Sequence, residues 1–477
     1  MEPLRRFDRA ALWEGHFAYY REEGLGPWQR QEVPDGATSF GFALQAAHFA
    51  HGMSLPDRPL EIWELGAGTG AFAARFLRAL ARIQGRPEPR CRYVLTDLSA
   101  RTVEAACHRP DLRPAIDAGL LIPATLDVLA ERAPMALDGQ PIPTCPDFVI
   151  GTYFACILPT TWVRLRAGRW EEAWVVEGPR ADAEPTWRLV ELDERFPEPA
   201  LPAALRGWAA GVESADVPVS EALARLLLGQ LPWFGPDTVL LLSDFGSLAP
   251  AGHPSLRHKP LTRYGDSLAQ GQALSFLAQV AASGGRGVAC TADPTHEVQT
   301  IATWPDARDL APAFRAAWLD RAWGEEQADL QGAARMWAEQ GGSQRALRLY
   351  QRLFAELGDE PELLVEAGKV ALRAGLLTQA RALLERALAC MGGSGFDVDF
   401  DLGRLCMAEG AWEAALVHLG RSAGRDPHPI TQVNLCRVHR ARGDGPAALT
   451  ALHAALRLDP EHPAVRQEQA LLLGDRP

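Results

Sequence analysis

A chain of 477 residues is too long for one ordinary domain and suggests two or three. Its 47% hydrophobic and 23% charged content is ordinary for a globular protein with ample core-building capacity. The formal charge of −12 argues against a broad nucleic-acid footprint. Eight cysteines lie scattered without a C-x-x-C pair, so they give neither zinc-ligand spacing nor a disulfide framework, and a reducing cytoplasm is the expectation. Lys259 and Lys369 are the only lysines; arginine carries nearly all the positive charge.

The start, "MEPLRRFDRAALWEGHF", carries Glu2, Asp8 and Glu14 and has no apolar leader core. No apolar run approaches eighteen residues, so neither a membrane span nor a membrane partner is expected. Next come short apolar runs: "EIWEL", "RYVLTDL", "DFVIGTYF", "EAWVVEG" and "TVLLLSDFG". Most look like buried parallel strands. Helical patterns fall between several of them, notably Ala71 to Ile83 and Arg101 to Cys107, and this alternation predicts an open α/β sheet.

Beyond about Ala307 the strand-like runs stop, and Ala, Leu, Arg and Glu recur at helical spacing. The predicted division is an α/β domain over 1–305 and an all-α domain over 306–477. The second part repeats itself: Gly368, Gly375, Ala380 and Leu384 align with Gly403, Gly410, Ala415 and Leu419, and again with Cys436, Gly443, Ala448 and Leu452. A weaker first copy supplies Ala334, Gly341, Ala346 and Tyr350. The period is that of tetratricopeptide repeats, about four of them with a final capping helix. Small residues at the Gly368 slot let paired helices approach closely, while Pro427 and Pro460 stop the second helix of their units.

The chemistry concentrates in "WELGAGTGAF". Glycines between a strand and a helix permit positive φ and let a ligand lie against bare backbone. "GAGTGA" satisfies a permissive dinucleotide fingerprint, and Asp97, ending the next strand, suits the ribose of either cofactor class.

The spacing E-x-G-x-G-x-G, Glu64 to Gly70, also resembles the first motif of class I S-adenosylmethionine-dependent methyltransferases. That resemblance implies a Rossmann-like fold and S-adenosyl-L-methionine as cofactor. Glu64, Gly66, Gly68 and Gly70 would form the cofactor turn, Asp97 would hold the ribose, and Asp127, after a third strand, would contact the adenine. "DFVIGTYFACILPTTWVRLRAGRWEEAWVVEG", "LLLSDFGS" and the lead-in "YYREEGLGPWQRQEVPDGATS" are similar to segments of the MidA-like methyltransferases, over roughly residues 10–300. In that family the lead-in packs over the cofactor, and mitochondrial members act in assembly of respiratory complex I. The family's Asn, Glu and Asp positions are here Thr152, Tyr153 and Cys156, so its arginine-methylating activity does not transfer directly. By the resemblance Thr152 and Tyr153 face the methyl group. Tyr153 and Asp244 are the catalytic candidates, and Asp266 is a further polar one. Cys156, alone in an apolar run, reads as core filler.

In the repeats, one slot carries Arg335, Lys369, Arg404 and Arg437. A cationic ladder inside a concave groove suits a protein or peptide partner with an acidic or carboxylate-ended segment. The expected function is methyl transfer to a protein or peptide docked by the repeats. The alternative is a non-catalytic adaptor or assembly factor with a degenerate methyltransferase-like domain. Repeats also serve dimerisation, which keeps a homodimer among the expectations.

Overall fold

The structure, a computed structural model, describes residues 4–23, 37–53, 55, 57–130, 132–142, 145–176, 185–259, 261–264, 267–291, 298–319, 325–390, 397–425 and 427–473. Asp266 and the middle of the lead-in segment, 24–36, lie outside the described residues. The chain divides into two compact units, Met1–Glu325 and Glu326–Pro477.

This division lies at the far end of the boundary region, 305–325, where the composition changes, and packing explains its place. Helix Ala311–Trp318 presents Phe314 and Trp318 to Phe49, with ring centroids 6.1 and 5.7 Å away. Phe314 is 1% exposed, so the helix completes the first unit's core although its composition matches the repeats.

The first unit is built on strands β1 (Leu4–Arg6), β2 (Leu60–Leu65), β3 (Cys91–Asp97), β4 (Leu121–Thr125), β5 (Met135–Ala136), β6 (Phe148–Thr152), β7 (Thr161–Arg166) and β8 (Arg169–Val176). Then follow β9 (Thr186–Leu189), β10 (Ser214–Val219), β11 (Val239–Ser247), β12 (Thr262–Tyr264), β13 (Ser267–Ala269), β14 (Gln272–Ala273), β15 (Arg286–Cys290) and β16 (Val298–Pro305). The main sheet runs β15-β16-β11-β6-β2-β3-β4-β5, with β14 beside β11. β4, β3, β2, β6 and β11 are mutually parallel, and β16 enters antiparallel between β11 and β15. A dinucleotide fold would instead continue with a parallel strand there.

Alternating side chains feed two cores, as a sheet covered on both faces requires. From β2, Leu60 and Ile62 enter a core with Phe49, Phe76 and Phe314. Trp63 and Leu65 enter the opposite core with Trp233, Leu205 and Phe276.

One expectation is corrected here. "EAWVVEG" is not a strand of the parallel sheet: it forms β8, which joins β1, β7, β9 and β10 in a separate antiparallel sheet. Its half-exposed Trp174 and exposed Val176 fit a sheet open to water on one face, which a short apolar run alone does not reveal.

The second unit contains four antiparallel helix pairs, opening with Glu325–Glu339 and Ser343–Leu357 and closing with Pro429–Ala441 and Gly445–Leu458, then a final helix Pro463–Leu473. Gly341, Gly375, Gly410 and Gly443, aligned in the sequence, all sit at φ between +72° and +80° between the helices of a pair. A Cβ at Gly368 would stand 2.7 Å from Leu384, and one at Gly403 2.6 Å from Leu419, so the small slot sets how closely each pair packs. Cys91, Cys107, Cys145, Cys156, Cys290, Cys406 and Cys436 are free thiols, and among the described residues no helix is long and apolar enough to cross a membrane.

Candidate cofactor site

The strand order reverses between β3-β2 and β6-β11, and the crevice beyond the carboxyl ends of strands at such a point is where open α/β sheets bind ligands. A cleft lies there. Gly66 and Leu65 end β2, Asp97 and Leu98 end β3, Leu126 and Asp127 follow β4, and Tyr153 follows β6. Ile157 and Leu158 close the far side, so most of the lining is apolar with two carboxylates at its edge.

The glycine turn owes its shape to backbone that only glycine adopts freely. Gly66, Gly68 and Gly70 have φ of +67°, +51° and +72°. A Cβ at Gly66 would stand 3.2 Å from the Phe154 ring, and one at Gly70 3.0 Å from Leu112. Helix Ala71–Ile83 starts directly after Gly70, so its unpaired N–H groups face the turn. The Thr96 hydroxyl donates to the Glu64 carbonyl at 2.5 Å, and the Ala67 N–H donates to the Thr96 carbonyl at 2.8 Å, tying the turn to β3.

Asp97 is 7% exposed and accepts from the Gly68 N–H at 3.1 Å and the Ser99 N–H at 3.2 Å. Burial raises its pKa, and these backbone donors oppose the rise. Asp127 is more open, accepting from the Leu129 N–H at 3.0 Å and from Arg21 at 3.3 Å.

Glu64 points away from the cleft into the core beneath the turn. Its Oε2 accepts from the Tyr93 hydroxyl at 2.9 Å, while Oε1, fully buried, has no hydrogen-bond partner among the described residues. Burial pushes its pKa up to about 8, so the group is largely protonated at neutral pH.

The candidates on the acceptor side separate. Tyr153 lines the cleft in left-handed backbone, φ +51°, rare for a non-glycine residue, and its ring lies 5.0 Å from that of Phe245. Thr152, the last residue of β6, pairs in register with Ser243 and does not line the cleft. Asp244 does not line it either. Its carboxylate accepts from the backbone N–H groups of Cys156 at 2.9 Å and Phe245 at 2.7 Å and from that of Ala155, and it caps the turn Ala155–Ile157. Burial raises its pKa to about 6. Cys156 is 3% exposed and burial holds its thiol well above the usual range, consistent with core filler.

The structure thus brings Gly66, Asp97, Asp127 and Tyr153 to one cleft, with Gly68 bonded to Asp97. Glu64, Gly70, Thr152 and Asp244 lie behind it as supports. The lead-in segment, which begins at Tyr19, starts within helix α1 (Ala11–Glu23); this helix, the roof, contributes Tyr20 to the cleft and also Phe17, ahead of that segment, which sequence reasoning missed. The signal was present: Trp13, His16, Phe17 and Tyr20 are spaced i, i+3, i+4, i+7, one face of a helix. His16, 1% exposed, anchors that roof. Its Nδ1 accepts from the Leu268 N–H at 2.9 Å, which leaves the proton on Nε2 to donate to the Ile157 carbonyl at 3.1 Å. Burial lowers its pKa to about 4, so the ring is neutral.

The repeat ladder is spent largely within the unit. Arg335 pairs with Glu366 and Glu362, Lys369 with Asp401 at 3.5 Å, and Arg437 with Glu468 at 2.8 Å, each partner belonging to the following helix pair or the final helix. Arg404 shares Asp401 at 3.7 Å. The ladder therefore joins neighbouring repeats.

The cleft fits S-adenosyl-L-methionine in its chemistry: an open glycine turn, a carboxylate at the end of β3 and a largely apolar lining. Residues 42–275 match a family described as "Putative S-adenosyl-L-methionine-dependent methyltransferase". Comparison with curated proteins gives no match. Among solved structures, a Burkholderia thailandensis protein bound to S-adenosyl-homocysteine aligns at 18% identity and TM-score 0.44, over 65% of this chain and 90% of that one. MamA (41-end) from Desulfovibrio magneticus RS-1 aligns at 17% identity and TM-score 0.29, over 31% of this chain and 82% of that one. The family match, over residues 42–275, lies within the N-terminal unit and is to S-adenosyl-L-methionine-dependent methyltransferases.

Proposed function

We propose that the chain methylates a protein or peptide in the cytoplasm, with the repeat unit selecting the acceptor. The observation that carries this reading is the pairing, in one chain, of a complete cofactor cleft with a repeat unit whose architecture elsewhere makes protein-binding surfaces.

When bound, the cofactor supplies an electrophilic methyl group already activated by its sulfonium. The work left to the protein is orientation and exclusion of water. Asp97 would hold the ribose hydroxyls and Asp127 the adenine. Phe17 and Tyr20 would cover the adenosine from above, and Leu126 and Leu158 would floor it. Tyr153, fixed by its strained backbone and by the Phe245 ring, would orient the acceptor's lone pair.

The acidic-partner expectation has weaker support than the docking role itself. Residues Glu326–Pro477 contain 17 basic and 20 acidic side chains, and the ladder is internally paired. An adaptor that binds cofactor without turning it over is the second reading. It is favoured by Thr152, Tyr153 and Cys156 standing where the MidA-like resemblance has Asn, Glu and Asp.

The test is transfer of labelled methyl from S-adenosyl-L-methionine into a lysate of cells lacking the protein. The purified full chain should label discrete protein bands, and Asp97→Ala should not. Unlabelled protein together with normal cofactor binding would leave the adaptor.

A further inference from the structure

Helix α1 is held differently at its two ends. Near its middle, the buried His16 fixes it to Leu268 and Ile157 with two hydrogen bonds, so this part of the roof is anchored. In its last turn the contacts are peripheral. The Ser99 hydroxyl donates to the Arg21 carbonyl at 3.4 Å, and Arg101 donates to the Glu22 carbonyl at 2.9 Å. Among the described residues, the ionic contact of this turn is Arg21 Nη2 to Asp127 Oδ2 at 3.3 Å, with the two side chains 53% and 31% exposed.

Asp127 has two oxygens. Oδ1 is committed to its own loop through the Leu129 N–H, which leaves Oδ2 as the oxygen free to meet a ligand, and that is where Arg21 sits. Asp127 also lines the cleft, so the roof's guanidinium occupies the acceptor position that an exocyclic amine of a bound base would use.

We propose that Arg21 sets the affinity and exchange rate of the cofactor's adenosine end by competing with it for Asp127 Oδ2. This rests on Asp127 being the adenine-side carboxylate. An exposed pair of this kind holds the last turn of α1 over the cleft weakly, so the turn opens and re-closes while His16 keeps the rest of the helix in place. Binding the base breaks the pair and frees Arg21 to solvent. Salt, which screens the pair, therefore favours the cofactor.

Calorimetric titration of S-adenosyl-homocysteine into the full chain tests this, in wild type, Arg21→Ala, Arg21→Met, Arg21→Lys and Asp127→Asn, each in low and in moderate salt. Wild type and Arg21→Lys should bind more tightly as salt rises. Arg21→Ala and Arg21→Met should bind about two- to five-fold more tightly than wild type at low salt and lose the salt response. Arg21→Met keeps the side chain's apolar cover over the cleft, so it separates lost charge from lost packing. Weaker binding in both Arg21→Ala and Arg21→Met would overturn the proposal, because it would make Arg21 a ligand contact. Unchanged affinity and salt response would overturn it equally. Asp127→Asn reports separately: if it binds as wild type, the adenine-side assignment of Asp127 falls, and the competition falls with it.

Discussion

Two buried titratable residues beside the cleft carry opposite pH signatures. Glu64 titrates near 8 in the folded chain against an ordinary value of 4.5, because burial disfavours its charged form. Between pH 4.5 and 8 the unfolded chain has released this proton while the folded chain keeps it, so Glu64 lowers stability as pH rises through that window. His16 runs the other way, with a folded pKa near 4 against 6.5. Its neutral form is the one that fits, and its contribution, roughly 3 kcal/mol at most, is lost as pH falls from 6.5 through 4. Glu64→Gln keeps an oxygen to accept from Tyr93 and removes the ionisation. Its thermal midpoint, followed from pH 5 to 8.5, should gain on wild type progressively with pH. A constant offset between the two curves would show that Glu64 does not titrate in this range.

At the scale of elements, the turn Ala155–Ile157 shows how a residue on the neighbouring strand, β11, shapes the cleft. Asp244 holds this turn by accepting from two of its backbone N–H groups, those of Ala155 and Cys156, and the turn carries Ile157 into the lining with Leu158 following it. Leaving a buried donor unpaired costs about 1–3 kcal/mol, so Asp244→Ala should unfold at a markedly lower temperature and bind S-adenosyl-homocysteine more weakly. Asp244→Asn, which keeps one acceptor oxygen, should fall between. A variant that melts like wild type but transfers methyl more slowly would restore Asp244 to the chemistry.

The same turn marks the limit of what the sequence made legible. The glycine turn, Asp97 and Asp127 were readable because strand-end spacing places them. The repeats were readable because small residues recur at one slot in each helix pair. The bonds of Asp244 to the turn after β6 were not legible, because they depend on the pairing of β11 with β6, residues far apart in sequence. The pairing within the ladder was not legible because its partners, Glu366, Asp401 and Glu468, lie on the next helix pair or the final helix, about 30 residues away in sequence.

At the scale of the whole molecule, the two units have independent cores. The clusters around Trp63 and Phe49 lie within the first, and those around Leu419 and Leu452 lie within the second. Each therefore has the means to fold alone. If the repeats select the acceptor, the second unit acts by raising the local concentration of a docked protein, not by contributing to the transfer step. A chain ending at Glu325 should then bind S-adenosyl-homocysteine as the full chain does. Its kcat/KM toward a protein acceptor should fall by about 10²-fold through KM, with kcat at saturation retained. A short peptide carrying only the methylated residue should be processed equally by both chains, since it gains nothing from docking. Loss of kcat with the peptide would assign the repeats a part in the cleft itself, whereas equal KM with the protein would remove their docking role.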